Sequence, residues 1–335
     1  MKKRAILTVV FGFFLATFGT YNAAEAAKVL RFAMFFPPDY YITQGFYRMA
    51  DRVKAETNGE LEIKVFPAGQ LGSYEQTFQE VMRGTIDMAG NYPTARFNKK
   101  FEVGSFPGLV KDFDEFRKLV EKESPFTEFM EKAYDECDVV YVGSFPEALM
   151  GCSVAKGKDI PDPFVAKSKG RVARVEPIAA KREWYVEMGF GVATVPFAEI
   201  FSSMQTGIVD CNTGSGPEIA YLTLRDTLGS FVQYNNVAAT NDFVVSKKAW
   251  NGLTDDQKRI VEKAFEAEMD AVFKDVVDSH NKYIDAMKQD GIAVIDPTEA
   301  EKDYMAKLAY EKIWPKYYEL VDKEIFENIV KYVSQ

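Results

Sequence analysis

Histidine is nearly absent: the 335 residues contain one, His280. A lone imidazole rules out the H-E-x-x-H metal sites, and it lies far in sequence from any cysteine or serine in an elbow-type motif. It falls on the apolar stripe of a long helical pattern, which points to a packed histidine. Cysteine is scarce too. Cys137, Cys152 and Cys211 are an odd number and match no metal spacing. At most one disulfide can form within the chain, and three small buried thiols fit the sequence as well. Glycine-rich phosphate loops are missing, since "GSG" at 214–216 lacks the rest of any fingerprint, and no cofactor is expected. Repeats, low-complexity linkers and any later apolar run long enough to span a membrane are also missing. Positive charge is in deficit: 41 basic residues face 50 acidic ones, for a net charge of −9. That balance argues against nucleic acid or anionic lipid as a partner.

What is present begins with an export signal. Lys2, Lys3 and Arg4 form a positive region, Ala5 to Phe18 an apolar stretch, and Ala24-Glu25-Ala26 a cleavage pattern. The apolar stretch is shorter than the roughly 20 residues of a membrane span, which sets aside an uncleaved anchor. The first cysteine is Cys137, so no lipid-anchored form is expected. The mature chain is expected to start near Ala27, in the periplasm. Losing residues 1–26 removes three basic residues and one acidic residue, so the net charge becomes −11 over 309 residues. That length accommodates two domains of ordinary size.

Strand and helix patterns then alternate. "VLRFAMF" (29–35) carries Leu30, Phe32 and Met34 on one face. Thr43 is read as the cap of a helix with Phe46, Met49, Ala50 and Val53 inward, ended by Gly59. "LEIKVF" (61–66) is a second strand. Ser73 and Gln76 spell a capping box for a helix closed by Gly84, and "IDMA" (86–89) is a short buried strand. This β-α-β-α-β order predicts a mostly parallel sheet covered by helices. Helices at 112–122 and 125–135 precede strand "DVVYVG" (138–143), and a second α/β unit occupies about 152–239. "DFVVS" (242–246) returns to strand character. A capping box at Thr254 and Gln257 opens a helix running to about Gln289, long enough to lie along both domains.

One position is anomalous. Arg174 sits inside the short apolar strand of "KSKGRVARVEP" (167–177), facing opposite to Arg171. A buried cation needs a partner. Asp210, Glu147 and Glu218 are candidates within the chain, and a bound anion is the alternative.

"PAGQLGSYEQTFQEVMRGTIDM" (67–88) resembles the P-x-G-Q-L-G…E…V…G-x-I-D signature of solute-binding proteins serving tripartite ATP-independent periplasmic (TRAP) transporters, the DctP group. "KGRVARV", "TVPFAEIFSSMQTGIVDC" and "SKKAWNGLTDDQKRIVEKAF" resemble three further family segments in the right order. The resemblance implies a two-lobed periplasmic binding protein fold with mixed, mostly parallel sheets, the long helix spanning both lobes. The expected lobes are 27–151 plus 240–279 and 152–239 plus 280–335. It also implies a non-enzymatic, monomeric protein that closes on a small organic acid and docks on the TRAP membrane subunits. A ligand-sensing protein of the same fold and an exported hydrolase or lyase are the rival readings.

In the resemblance, Arg174 takes the position of the arginine that pairs with the ligand carboxylate. Family members often carry a second arginine in a G-F-R segment, where this chain reads "GSFPEALMG" (143–151). "NTGSGPE" also departs from the usual text after the V-D-C strand, with Thr213 and Ser215 offering hydroxyls and glycines widening the site. Aromatic residues stand at turns used to line the cleft: Phe35, Phe36, Tyr40, Tyr41 and Tyr92, with Phe145 and Phe243 on later strands. The expected ligand set is Arg174, Phe36, Tyr40, Tyr92, Phe145, Glu147, Thr213, Ser215 and Phe243. It suits a monocarboxylate with an apolar or aromatic body.

Overall fold

The computed structural model describes residues 27–92 and 94–335. The export signal expected over residues 1–26 lies outside them. The elements run β1 (Lys28–Met34), α1 (Tyr41–Glu56), β2 (Leu61–Phe66), α2 (Tyr74–Met82), β3 (Met88–Asn91), α3 (Phe113–Leu119), α4 (Pro125–Asp135) and β4 (Val139–Leu149). Next come β5 (Gly151–Ala155), β6 (Val172–Val175), α5 (Ala179–Glu187), β7 (Gly191–Thr194), α6 (Ile200–Gln205), β8 (Cys211–Ser215), α7 (Pro217–Leu224) and β9 (Leu228–Val232). The chain closes with β10 (Ala238–Ser246), α8 (Lys247–Asn251), α9 (Asp255–Gln289), β11 (Ala293–Ile295), α10 (Glu299–Leu308) and α11 (Lys323–Val333).

Two mixed sheets result. The first is five-stranded in the order β2-β1-β3-β10-β4, and the second six-stranded in the order β11-β9-β5-β8-β6-β7. In the first, β1 is parallel to β2 and β3, while β10 runs antiparallel to β3 and β4. Leu30, Phe32 and Met34 face the α1 stripe of Phe46, Met49, Ala50 and Val53 in one core cluster, as the alternation predicts. The capping boxes at Ser73–Gln76 and Thr254–Gln257 are both formed. Thr43, however, lies within α1, which starts at Tyr41 without a side-chain cap.

The chain crosses between sheets at Met150, a single residue separating β4 from β5, and returns between β9 and β10. The two crossings hydrogen-bond to each other: Met150 N–H donates to Val237 O at 3.0 Å, and Asn235 N–H donates to Met150 O at 3.0 Å. Helix α9 is the third connection. Its 35 residues span about 52 Å at ~1.5 Å each. Val261, Ala264, Phe265 and Val272 pack with α1 and β4, while Ile284 and Met287 join Leu228 and Phe231 of β9.

The chain's end departs from the expected division. Residues 280–335 were assigned to the second lobe, but α11 packs on α3 and α4 beside the first sheet. Phe326 stacks on Phe106 at 5.2 Å and on Trp314 at 4.8 Å, burying apolar surface beside those helices. Among the described residues no helix is long and apolar enough to cross a membrane.

The α9–β4 contact leaves no spare room. A Cβ added at Gly143 would overlap the Phe265 ring. Gly143→Ala is expected to cost about 1–3 kcal/mol in urea denaturation; an unchanged midpoint would contradict this packing.

Candidate functional site

A cleft of about 1890 Å³ lies between the two sheets, lined from both and from the α9 segment containing Ser279, His280 and Tyr283. Small-molecule pockets hold about 300–1,000 Å³, so this space exceeds what one small acid fills, and closure of the walls would reduce it.

Arg174 enters the cleft from β6, flanked by β7 and β8, to both of which β6 is parallel. Its side chain is only 4% exposed. Nε donates to Val195 O at 2.9 Å, and Nη1 lies 3.4 Å from Asn212 Oδ1 and 3.3 Å from Glu176 Oε1. No protein acceptor meets Nη2 among the described residues. None of the three acids considered from sequence is the partner. Asp210 pairs with Lys158 at 2.9 Å, Glu218 accepts from Ser279, and Glu147 meets no cation among the described residues. The partner is Glu176, immediately after β6, two residues on from Arg174 and so on the same strand face.

Glu176 is shared. Its other oxygen lies 2.8 Å from Nζ of Lys181, a fully buried residue in α5. Burial alone would raise the Glu176 carboxyl, but Lys181 and Arg174 hold it below its usual range. Burial draws the Lys181 ammonium down, and Glu176 opposes that shift. Arg174 and Lys181 thus share one buried carboxylate beside the cleft. Gly214 makes this possible. A Cβ there would overlap Glu176 Oε1 and Arg174 Nη1. The glycine makes room for the charge cluster, a different role from the widening expected. Ser215 is oriented by Asn212, whose Nδ2 donates to its Oγ at 2.9 Å.

The opposite wall is aromatic. Ring centroids of Phe35 and Phe36 lie 4.0 Å apart, those of Phe36 and Tyr40 4.3 Å, and those of Tyr40 and Tyr41 4.3 Å. Tyr74 extends the run, 5.7 Å from Phe35 and 6.3 Å from Tyr92. Burial raises the phenol pKa of Tyr40, Tyr41 and Tyr92, so these hydroxyls stay neutral. The Tyr41 hydroxyl donates to the backbone carbonyl of Glu147. The Glu147 carboxyl is pushed up to about 8 by burial, reinforced by Glu176 and Glu218.

Six of the nine expected residues line the cleft: Arg174, Phe36, Tyr40, Tyr92, Glu147 and Ser215. Three do not. Phe145 stacks on Phe265 at 4.4 Å and Phe243 lies 5.7 Å from Phe46, both fully buried beneath α1 and α9. Thr213 is fully buried and donates to the Arg174 carbonyl at 2.8 Å, bracing the strand that carries the arginine. Tyr74 and Glu176 were missed, although Tyr74 follows the Ser73 cap in the most diagnostic motif. Arg48 and Arg96 also line the cleft, paired with Glu268 at 2.6 Å and Glu75 at 2.9 Å. His280 lines it as well, but is packed: Phe113 meets it edge-on at 5.1 Å and Gln233 Oε1 lies 2.7 Å from Nε2. Burial lowers its pKa to about 4, keeping the ring neutral. All three cysteines are buried and free. No group of three or more metal-ligating side chains occurs among the described residues.

Two mixed sheets joined by crossing strands and one long helix, with a charge cluster in the cleft between them, define a two-lobed α/β solute-binding protein. The chain belongs to the bacterial extracellular solute-binding proteins, family 7 (DctP), whose family model matches residues 32–320. These are the solute-binding proteins of TRAP transporters, a transport family rather than an enzyme family. The C4-dicarboxylate-binding periplasmic protein DctP of Rhodobacter capsulatus is 21% identical, covering 85% of this chain and 84% of its own. The sialic acid-binding periplasmic protein SiaP of Vibrio cholerae is 22% identical, covering 74% and 77%. A TRAP periplasmic solute-binding protein from Desulfovibrio salexigens, solved with bound orotic acid, superposes with a TM-score of 0.80 at 22% identity, covering 91% of this chain and 97% of that one.

Gly214→Ala is expected to weaken binding of carboxylates without changing any charge, read by calorimetry; undiminished affinity would remove the cluster from the binding site. Glu147 offers a second check. Its folded pKa lies above the ordinary 4.5, so the unfolded state binds fewer protons between pH 4.5 and about 8. Stability falls as pH rises through that window. The melting temperature of Glu147→Gln should therefore gain on wild type from pH 4.5 to about 8 and level off above it. A pH-independent difference would show that Glu147 titrates normally.

Proposed function

We propose that this chain captures a small organic acid in the periplasm and delivers it to the membrane subunits of a TRAP transporter. The acid carries one carboxylate bound by arginine and an apolar or aromatic body. The observation that carries this reading is the buried Arg174 guanidinium facing the cleft, whose one carboxylate partner, Glu176, is shared with Lys181. A carboxylate meeting the unpartnered edge of the guanidinium completes the charge balance in a site shielded from water. The aromatic wall offers faces to an apolar body. Arg48 and Arg96 are held by acids of this chain, which favours one arginine-bound carboxylate over two. Contacts to both walls in the closed form drive the population toward closure. The chain acts as a monomer and returns its solute unchanged.

A thermal-shift screen across organic acids tests the solute class, because binding to the folded state alone raises the melting temperature. Aliphatic and aromatic monocarboxylates are expected to give the largest shifts. Tight binding of succinate or a sialic acid, with no shift from aromatic acids, would overturn the assignment. For the acid giving the largest shift, Arg174→Ala should weaken binding by about 2–5 kcal/mol. Glu176 and Lys181 remain as a balanced pair in that variant, so the fold should persist. An unchanged dissociation constant would remove Arg174 as the anchor.

A further inference from the structure

The cleft contains a second ionisable group, Glu147, that no cation meets among the described residues. Glu147 is the extra residue of a β-bulge: Pro146 pairs with Thr240 and Ala148 with Ala239, and Glu147 is skipped. Bulges re-aim a side chain out of the strand's regular alternation and recur beside functional sites. Phe145, two residues earlier, is fully buried in the α1–α9 core, whereas Glu147 lines the cleft. Its Oε2 is buried without a hydrogen-bond partner, and no cation pairs with it among the described residues. The ionisable groups coupled to it are Tyr40 just before α1, Tyr41 of α1, Tyr92 after β3, Glu176 after β6 and Glu218 of α7, none of them positive. A buried carboxylate with only neutral or acidic neighbours is costly unless a cation reaches it, and the cleft is the open approach. The approach is built for one. The aromatic run of the opposite wall ends at Tyr41, whose hydroxyl is bonded to the Glu147 main chain. Ring faces beside a carboxylate suit an ammonium group.

We propose that Glu147 is a second recognition group, accepting an ammonium carried on the body of the solute whose carboxylate is held at Arg174. The solute class is then a zwitterionic amino acid with separated charges, its apolar stem lying along the aromatic wall. This rests on the reading of Arg174 as the carboxylate anchor. In the empty cleft Glu147 is largely protonated at neutral pH, because burial pushes its carboxyl up to about 8. An arriving ammonium favours the ionised form, so binding transfers the carboxyl proton to buffer.

The test uses matched probes differing only by ammonium against methyl: γ-aminobutyrate with valerate, δ-aminovalerate with caproate, ε-aminocaproate with heptanoate, and p-(aminomethyl)benzoate with p-ethylbenzoate. In at least one pair the ammonium member should bind about tenfold tighter. Calorimetry in buffers of different ionisation enthalpy should show it releasing about one proton at neutral pH. That readout needs no variant. In Glu147→Gln, whose amide copies the shape of the protonated acid, the ammonium preference should collapse to about one. Tighter or equal binding by the methyl member in every pair overturns the proposal, as does a preference that survives Glu147→Gln or comes without proton release. Methyl members that bind alone, and are lost in Arg174→Ala, reject the role of Glu147 and keep the anchor. No binding by any member overturns the anchor and the proposal together.

Discussion

Two buried cations sharing one carboxylate is the constraint around which the site is arranged. Arg174, Glu176 and Lys181 meet where β6 ends and α5 begins, with Gly214 leaving the space they occupy. Removing one partner of a buried charge set is costly, so such clusters are tolerated when every charge is balanced. Here Arg174 and Lys181 have one carboxylate between them. The cluster also abuts the crossing between lobes: Lys181 Nζ lies 3.3 Å from Met150 Sδ, the residue joining β4 to β5. The cluster therefore lies against the segment that connects the two sheets.

The opposite wall supplies what the cluster lacks. Arg174 offers direction and charge, while the run from Tyr92 through Tyr74 and Phe35 to Tyr41 offers apolar area. Titratable groups of the cleft are held in fixed protonation states by burial. The one histidine is held neutral against Phe113, and the hydroxyls of Tyr40, Tyr41 and Tyr92 are held neutral by burial. A cleft with a cation at one side and aromatic faces at the other discriminates among solutes.

Much of the fold was legible because periodicity reports burial directly. The faces of β1 and α1, both capping boxes and the long reach of α9 follow from spacing alone. Strands β5, β7, β9 and β11 were not read from the sequence, since runs of 3–5 residues carry too few side chains to show a period. Within the site, Arg174 was legible as a cation in an apolar strand. Its partner Glu176 was passed over in favour of distant acids, although two residues along a strand share a face. Phe145 and Phe243 were misplaced for a different reason. Alternation tells which residues share a face, but which face α1 and α9 cover is decided by tertiary packing. Glu147 was named for the cleft, while the bulge that turns it there has no sequence signature.

The most direct measurement is a crystal structure with the acid that most raises the melting temperature. The account predicts a carboxylate oxygen within about 2.7–2.9 Å of a guanidinium nitrogen of Arg174, with Glu176 still paired to Lys181. A bound acid whose carboxylate lies against Arg48 or Arg96, leaving Arg174 paired only to Glu176, would contradict it.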